Sequence, residues 1–259
     1  MTRPDAARAA DGLRVCILPA RGGSKRIPRK NVRPFAGRPI IAWPITTAVA
    51  SGCFDRVIVS TDDPEIAETA ERAGAEVPFR RPAELADDYT GTLDVIAHAL
   101  NWLAADGCVV SRAACIYPTA VLLDEDDIRA GAELLETEDA EYALSVTEYP
   151  FPVQRAVQID PHGGLAMLQP EHAATRSQDL PVVYHDAGAL YWGRPAAFLG
   201  RAPLFSSRTR GIVLPRNRAI DIDTLEDWRV AEAAFRALRS ADGRPADAQP
   251  ASDAVSCAS

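Results

Sequence analysis

The chain has 259 residues, 47% of them hydrophobic and 25% charged, with a formal net charge of −8. That length and balance suit one globular domain with a full core, and an acidic chain lacks the broad basic face expected of a nucleic-acid binder. No apolar run approaches the roughly 20 residues that a bilayer span needs. The polar opening MTRPDAARAADG has none of the apolar core of a secretory leader. Neither membrane nor nucleic acid is therefore expected as a partner, and the cytoplasm is the expected location.

Residues 1–12 show no apolar periodicity and are expected to be disordered. LRVCILP, residues 13–19, reads as a buried strand ended by proline and a turn. Directly after it come Arg21, Lys25, Arg26, Arg29, Lys30, Arg33 and Arg38, with no acid anywhere in residues 21–38. A helix is expected over 39–51, with Pro39 in its first turn, and RVIVST (56–61) is a second buried strand. In DDPEIAETAERAG, Asp63 suits the N-cap of a helix, Pro64 its first position and Gly74 its end. Residues 90–107 place Leu93, Ile96, Ala97, Leu100 and Leu103 at helical spacing. AACIYPT (113–119) is a third strand. Residues 140–193 are broken by prolines and read as a small β-rich insertion that covers a site or pairs with another subunit. A last helix, 224–239, carries Leu225, Trp228, Ala231, Phe235 and Leu238 on one face, opened by the capping box TLED. The tail, 240–259, is expected to be disordered.

Strand-then-helix alternation predicts an α/β fold: one Rossmann-like, doubly wound, mainly parallel sheet over residues 13–239. The five cysteines, Cys16, Cys53, Cys108, Cys115 and Cys257, form no CxxC pair, which speaks against a zinc knuckle or disulfide framework. Cys16 and Cys115 lie in apolar runs and read as buried thiols. His98 falls inside a helix and Ser24 lacks the G-x-S-x-G setting, so no hydrolase triad emerges.

In parallel sheets ligands bind beyond the carboxyl ends of strands, which is where the basic stretch begins. Ala20 and Arg21 lead into Gly22 and Gly23, which let backbone N–H groups approach an anion. Ser24 adds a hydroxyl, and Arg21, Lys25 and Lys30 add charge. The pattern is neither a P-loop nor G-x-G-x-x-G. Its position, paired glycines and lack of acids favour phosphate binding over a solvated basic turn. Asp221 and Asp223, in the extended run AIDID, share one face and repel unless a cation, a proton or a donor lies between them.

PARGGSKRIPRKN, RPAELADDYTGTLDVIAHAL and RAIDIDTLEDW together resemble the signature segments of the CMP-sialic acid synthetase family of cytidylyltransferases, over residues 13–239. IYPTA, FPVQRA, PEHAATRSQDL and YHDAGALYWG are closer to its pseudaminic branch than to the neuraminic one. The resemblance implies a nucleotide-diphospho-sugar transferase type of fold and a homodimer formed through the insertion. It also implies transfer of CMP from CTP to the anomeric hydroxyl of a nonulosonic acid with release of pyrophosphate. Pseudaminic acid is the expected acceptor; N-acetylneuraminic, legionaminic and 3-deoxy-octulosonic acids are the alternatives. On the same resemblance, Arg21, Ser24, Lys25 and Lys30 hold phosphates, and Asn31 fixes the end of the loop. Arg81 reads the cytosine carbonyl. Arg21 and Lys25 stabilise the transition state, and Asp221 and Asp223 bind Mg²⁺. Thr90, Gly91 and Thr92 offer nucleotide contacts, although Thr90 serves equally as a helix cap and Asp87 and Asp88 equally as solvated acids. Gln154 and Arg155 are candidates for sugar contact, Arg176 for the sugar carboxylate with Gln178 beside it, and His172 and His185 for sugar contact or plain structural hydrogen bonding. Tyr184, Tyr191 and Trp192 read as core or interface residues. Asp62 stays open as a metal ligand. Tyr117 stands where many relatives carry glutamine, and a catalytically silent nucleotide-binding regulator is the rival of another class.

Overall fold

In a sheet covered on both sides every strand must be apolar on both faces, and the runs around residues 13–19, 56–60 and 110–116 meet that demand. The computed structural model describes residues 12–241 and Gly243. In chain order it contains β1 (Leu13–Pro19), β2 (Pro34–Phe35), β3 (Arg38–Pro39), α1 (Ala42–Ala50), β4 (Arg56–Ser60), α2 (Pro64–Arg72), α3 (Thr92–Ala105) and β5 (Val110–Ile116). Then follow α4 (Glu125–Leu135), β6 (Tyr142–Glu148), β7 (Val157–Ile159), β8 (Leu165–Met167), β9 (Tyr184–Gly193), α5 (Pro195–Leu199), β10 (Thr209–Val213) and α6 (Leu225–Ala241). The central sheet has the order β10-β6-β9-β5-β1-β4. It is parallel except for β9, which runs antiparallel to both β5 and β6.

Alternation along β1 builds the two layers. Cys16 and Leu18 pack with residues of α1, α2 and α4, while Val15 and Ile17 pack with residues of α3 and α5. Burial pushes the Cys16 and Cys115 thiols up, as expected of inert core cysteines; Cys257 lies outside the described residues. A third cluster joins Trp228 and Phe235 of α6 to Phe35, Trp43 and Ile27. Its rings meet edge-on, with centroids 5.4 Å apart for Phe35–Trp228 and 4.5 Å for Trp43–Phe235. Ile27 is the apolar peg of the basic loop, and burying such a side chain contributes roughly 1.5–3 kcal/mol. The last helix thus holds the loop from beneath.

Several boundaries differ from the sequence reading. The helix expected from residue 39 begins at Ala42, because Arg38 and Pro39 pair with Phe35 and Pro34; Pro44, not Pro39, sits in its first turn. The third strand ends at Ile116, where the Tyr117 amide turns to donate to Ala189 O at 3.0 Å. The final helix continues to Ala241. Residues 142–148 and 184–193 belong to the central sheet, so the insertion narrows to residues 149–183, an arm of short turns and the β7–β8 hairpin. Its prolines and turns mark the arm, but only the ladder between β6 and β9 shows where it leaves the sheet. The disorder expected for 1–12 and 240–259 concerns residues that mostly lie outside the described ones; Ser240 and Ala241 are helical.

Helix α4 approaches the sheet over Gly131, where a Cβ would lie 2.5 Å from Trp192 Cδ1 and 2.7 Å from Ile212 Cδ1. Trp192 cannot yield easily: it is buried, stacks on Phe54 at 4.8 Å, and its Nε1 donates to Ile128 O at 3.0 Å. Overpacking of this kind costs about 1–3 kcal/mol, more than the ~1 kcal/mol that alanine gains in helix propensity. Gly131→Ala should therefore lower the thermal midpoint by several degrees; a midpoint equal to the parent's would refute the close approach.

Candidate active site

The chain leaves β1 at Pro19 into a loop whose shape is set by backbone contacts. The Gly22 amide donates to Asp62 Oδ1 at 2.9 Å, and Asn31 Nδ2 donates to Arg21 O at 2.9 Å, tying the two ends of the loop together. Gly22 must be glycine, since a Cβ there would lie 2.8 Å from Asp63 Oδ2; Gly23 faces open space. Asp63 caps α2 as expected, accepting from the Glu65 and Ile66 amides at 2.9 and 3.1 Å, and it also pairs with Arg29. Arg29 holds its carboxyl below the usual carboxylate range. The loop walls a cleft of ≈ 340 Å³ with Arg21, Ser24, Lys25, Arg26 and Lys30, and Tyr117 stands opposite.

Two sets of carboxylates answer this charge. From residues 84–91, Asp88 bridges Arg21 at 2.8 Å and Lys25, while the Asp87 carbonyl accepts from Arg21 at 2.5 Å. Lys25 and Arg21 draw the Asp88 carboxyl below its ordinary range, so this clasp is complete at neutral pH and loosens only in acid. From the segment after β10, Asp223 pairs with Arg26 at 2.8 Å and Lys30 at 3.6 Å, and Lys30 Nζ donates to Ile222 O at 2.7 Å. Lys30 and Arg26, which line the cleft, thereby tie the glycine–cation loop to the Ile222–Asp223 segment; among the described residues lining the cleft, neither Asp221 nor Asp223 appears. Burial, then repulsion from Asp223, pushes the Asp221 carboxyl up although the residue opens to solvent on one side.

Tyr117 separates this cleft from a second cavity of ≈ 410 Å³, walled by Thr92, Leu93, Tyr191 and Leu204 with Arg201 at its edge. Thr92 Oγ1 and Tyr117 Oη lie 2.8 Å apart, and Tyr117 meets Tyr191 edge-on at 5.4 Å. Burial pushes the Tyr117 phenol up to about 12 and that of Tyr191 further, so both are neutral hydrogen-bonding groups.

The remaining sequence candidates are distributed as follows. Ala20 is fully buried and its amide donates to Ser60 O at 2.9 Å, leaving only its carbonyl free for a ligand. Arg81 points inward: it is 5% exposed, donates through Nε to Ser60 Oγ at 3.1 Å, and burial pulls its guanidinium down to about 10. Gly91, not Thr90, is the N-cap of α3; Thr90 donates its hydroxyl to Asp87 at 2.7 Å. Among the described residues lining the two cavities, none of the six sugar candidates appears. Gln154 is buried in the arm and donates to Pro181 O at 3.1 Å. Arg155 reaches Ser177, Arg176 pairs with Asp179 at 2.7 Å, and His172 and Gln178 lie in neighbouring turns. His185 begins β9, its ring edge-on to Tyr149 at 4.8 Å. The sequence reading underrated Asp88 and Tyr191 and passed over Asp186; no local pattern marks an acid whose partners are dozens of residues away.

A family model described as Cytidylyltransferase matches residues 15–236. The chain belongs to the cytidylyltransferase family. This cytidylyltransferase is 40% identical over 222 residues to the pseudaminic acid cytidylyltransferase of Campylobacter jejuni, covering 86% of this chain and 96% of that one. It is 29% identical over 225 residues to the CMP-N,N'-diacetyllegionaminic acid synthase of Legionella pneumophila, covering 84% and 94% of the two chains. Among solved structures, CMP:2-keto-3-deoxy-manno-octonic acid synthetase complexed with CTP shares the fold, with a TM-score of 0.63 at 15% identity over 87% of this chain and 99% of that one.

Any anion that takes Arg21 and Lys25 must compete with Asp88 for them. Exposed ion pairs of this kind are weak and screened, so their loss shifts affinity only a few-fold. Asp88→Asn should tighten CTP binding by that factor at low ionic strength, with the gap closing as salt is added. Weaker binding by the variant, measured by calorimetry, would mean that Asp88 holds the cations in place instead of competing for them.

Proposed function

We propose that this cytidylyltransferase transfers CMP from CTP to the anomeric hydroxyl of pseudaminic acid, releasing pyrophosphate. The observation that carries the reading is the tie between the basic loop and the aspartate segment: Lys30 lines the cleft, donates to Ile222 O and pairs with Asp223. The 40% identity to a pseudaminic acid cytidylyltransferase, against 29% to a legionaminic acid synthase, supports the choice of acceptor. The cytoplasmic location expected from the sequence goes with this reading; no helix among the described residues is long and apolar enough to cross a membrane.

In this reading the acceptor oxygen attacks the α-phosphorus and the bond to the β-phosphate breaks. Arg21 and Lys25 face the charge that builds on the phosphates and Lys30 ties the loop to the Ile222–Asp223 segment; the Gly22 amide is given to Asp62, which leaves open Gly23 for a close phosphate. The cavity beyond Tyr117 receives the acceptor: its apolar walls suit N-acyl arms, and the Thr92 and Tyr117 hydroxyls suit ring substituents. Arg81, bound to Ser60 and buried, is not among the residues lining either cavity, so this geometry does not carry the cytosine contact expected of it.

Asp221 and Asp223 fit a hard divalent cation such as Mg²⁺. Carboxylate oxygens are what such an ion takes, and Asp223, which pairs with Arg26 and Lys30, would exchange those cations for it. Phosphate and water oxygens would complete the shell. Once bound, the ion supplies charge neutralisation to the leaving pyrophosphate.

The arm carries Phe151, Ile159 and Leu165, which are 80%, 72% and 70% exposed, beside Leu168 and Val182. Apolar exposure of this density on one projection marks a docking surface, and we assign it to a second copy of the chain.

Pyrophosphate release from CTP and Mg²⁺ should be fastest with pseudaminic acid when it is compared with legionaminic, N-acetylneuraminic and 3-deoxy-octulosonic acids; CTP binding without release on any acid would favour a silent regulator. Asp223→Asn should abolish turnover with an unchanged circular dichroism spectrum, and a near-parental rate at saturating Mg²⁺ would remove it from the metal role. Light scattering should find the parent dimeric and Ile159→Asp/Leu165→Asp monomeric; a monomeric parent would reject the dimer assignment.

A further inference from the structure

Strand β9 is interrupted where it passes the site. Tyr191 is paired with Leu144 of β6 and Asp186 with Val146, so four residues of β9 stand opposite Ser145 alone. In a straight strand residues five apart lie about 16 Å from each other. Here Tyr191 donates its hydroxyl to Asp186 Oδ2, while Asp186 Oδ1 accepts from the Gly188 amide at 2.8 Å. Gly188 takes φ +58, a conformation that glycine adopts without strain. The amides freed by the bulge are satisfied from β6: Ala189 and Leu190 donate to the buried Ser145 Oγ at 3.3 and 2.9 Å. Bulges concentrate beside functional sites because they re-aim side chains.

The second cavity adjoins this bulge. Tyr191 lines that cavity, and Tyr117, which lines both, meets the Tyr191 ring edge-on at 5.4 Å and donates its backbone amide to Ala189 O at 3.0 Å. We propose that Asp186 is a positioning residue for the acceptor, because its carboxylate fixes the direction of the Tyr191 hydroxyl on the wall that Tyr117 and Tyr191 form. A carboxylate only accepts, so Tyr191 must donate to it. With its one proton committed to Asp186, Tyr191 presents only oxygen lone pairs to the cavity that it lines, while Thr92 and Tyr117 share a hydrogen bond at 2.8 Å. The wall therefore favours acceptor groups that donate, hydroxyls or amide N–H, over groups that only accept. Asp186 also braces the other side of the site: a Cβ at Gly188, whose amide it holds, would lie 4.0 Å from Asp221 Cγ.

This inference rests on the acceptor reading of the second cavity. In Asp186→Asn one carboxylate oxygen becomes an amide donor, so Tyr191 and Gly188 can no longer both be accepted. The KM for the nonulosonic acid should rise about tenfold while the KM for CTP stays within twofold, with a parental melting midpoint. Tyr191→Phe should do the same, and the double variant should be no worse than the poorer single one. Independently of turnover, Asp186→Asn should alter the near-ultraviolet tyrosine absorption of the parent, a change absent in the Tyr191→Phe background. Equal shifts in both KM values, no shift in either, or additive losses would overturn the proposal, as would an unaltered tyrosine spectrum. If the parent releases no pyrophosphate with any acid, the functional reading fails, and the spectrum alone still decides whether Asp186 holds Tyr191.

Discussion

Five cations stand within residues 21–30, and like charges this close hold one backbone shape only if other segments supply their partners. Three segments far apart in sequence do so: Asp63 and Glu65 at the start of α2 for Arg29, Asp88 for Arg21 and Lys25, and Asp223 for Arg26 and Lys30. The loop after β1 is thereby cross-linked to the connections after β4 and β10. These are the connections that a mainly parallel sheet gathers at its carboxyl edge, so the electrostatic need and the topology converge on one place. The partners are not equivalent. Lys25 is 77% exposed, and its pair with Asp88 is open to exchange for a ligand's charge. Arg218, 18% exposed and held by Asp124 and Asp127, braces α4 as a fixed structural pair.

The single reversed strand completes the site. A parallel β9 would bring its carboxyl end to the cleft; the antiparallel one brings its first residues, and with them Asp186, Gly188 and the bulge. The arm that precedes β9 therefore projects from the same edge as the cleft. This explains how one chain can place a basic loop, a tyrosine-lined cavity and an exposed apolar surface at one edge without a second folded core.

Much of this was legible from the sequence where physics is local. Apolar runs gave β1 and β4, Asp63 and Pro64 marked the start of α2, and paired glycines among cations marked the cradle. The Asp221–Asp223 spacing and the signature segments pointed to the family. Long-range pairing was not legible. Asp88 looks like any loop acid until Arg21 and Lys25, more than 60 residues earlier, are seen to meet it. β6 and β9 read as an insertion because proline-rich turns flank them, while their place between β10 and β5 is a property of the ladder. Arg81 was a cation beside a motif, and only its packing against the end of β4 shows that it is buried.

The two sides of the cleft are built on different principles. The nucleotide side is ionic: cations and carboxylates, mostly open to water, whose pairings trade against a ligand's own charges. In the proposed reading the acceptor side is neutral, with the Tyr191 phenol bound to one carboxylate and the Tyr117 and Thr92 hydroxyls bound to each other. Ionic sites tolerate small displacements because Coulomb energy falls slowly with distance, whereas bonds between neutral hydroxyls depend on direction. Under the proposed function, discrimination among acid sugars falls to this hydroxyl wall and not to the ionic half.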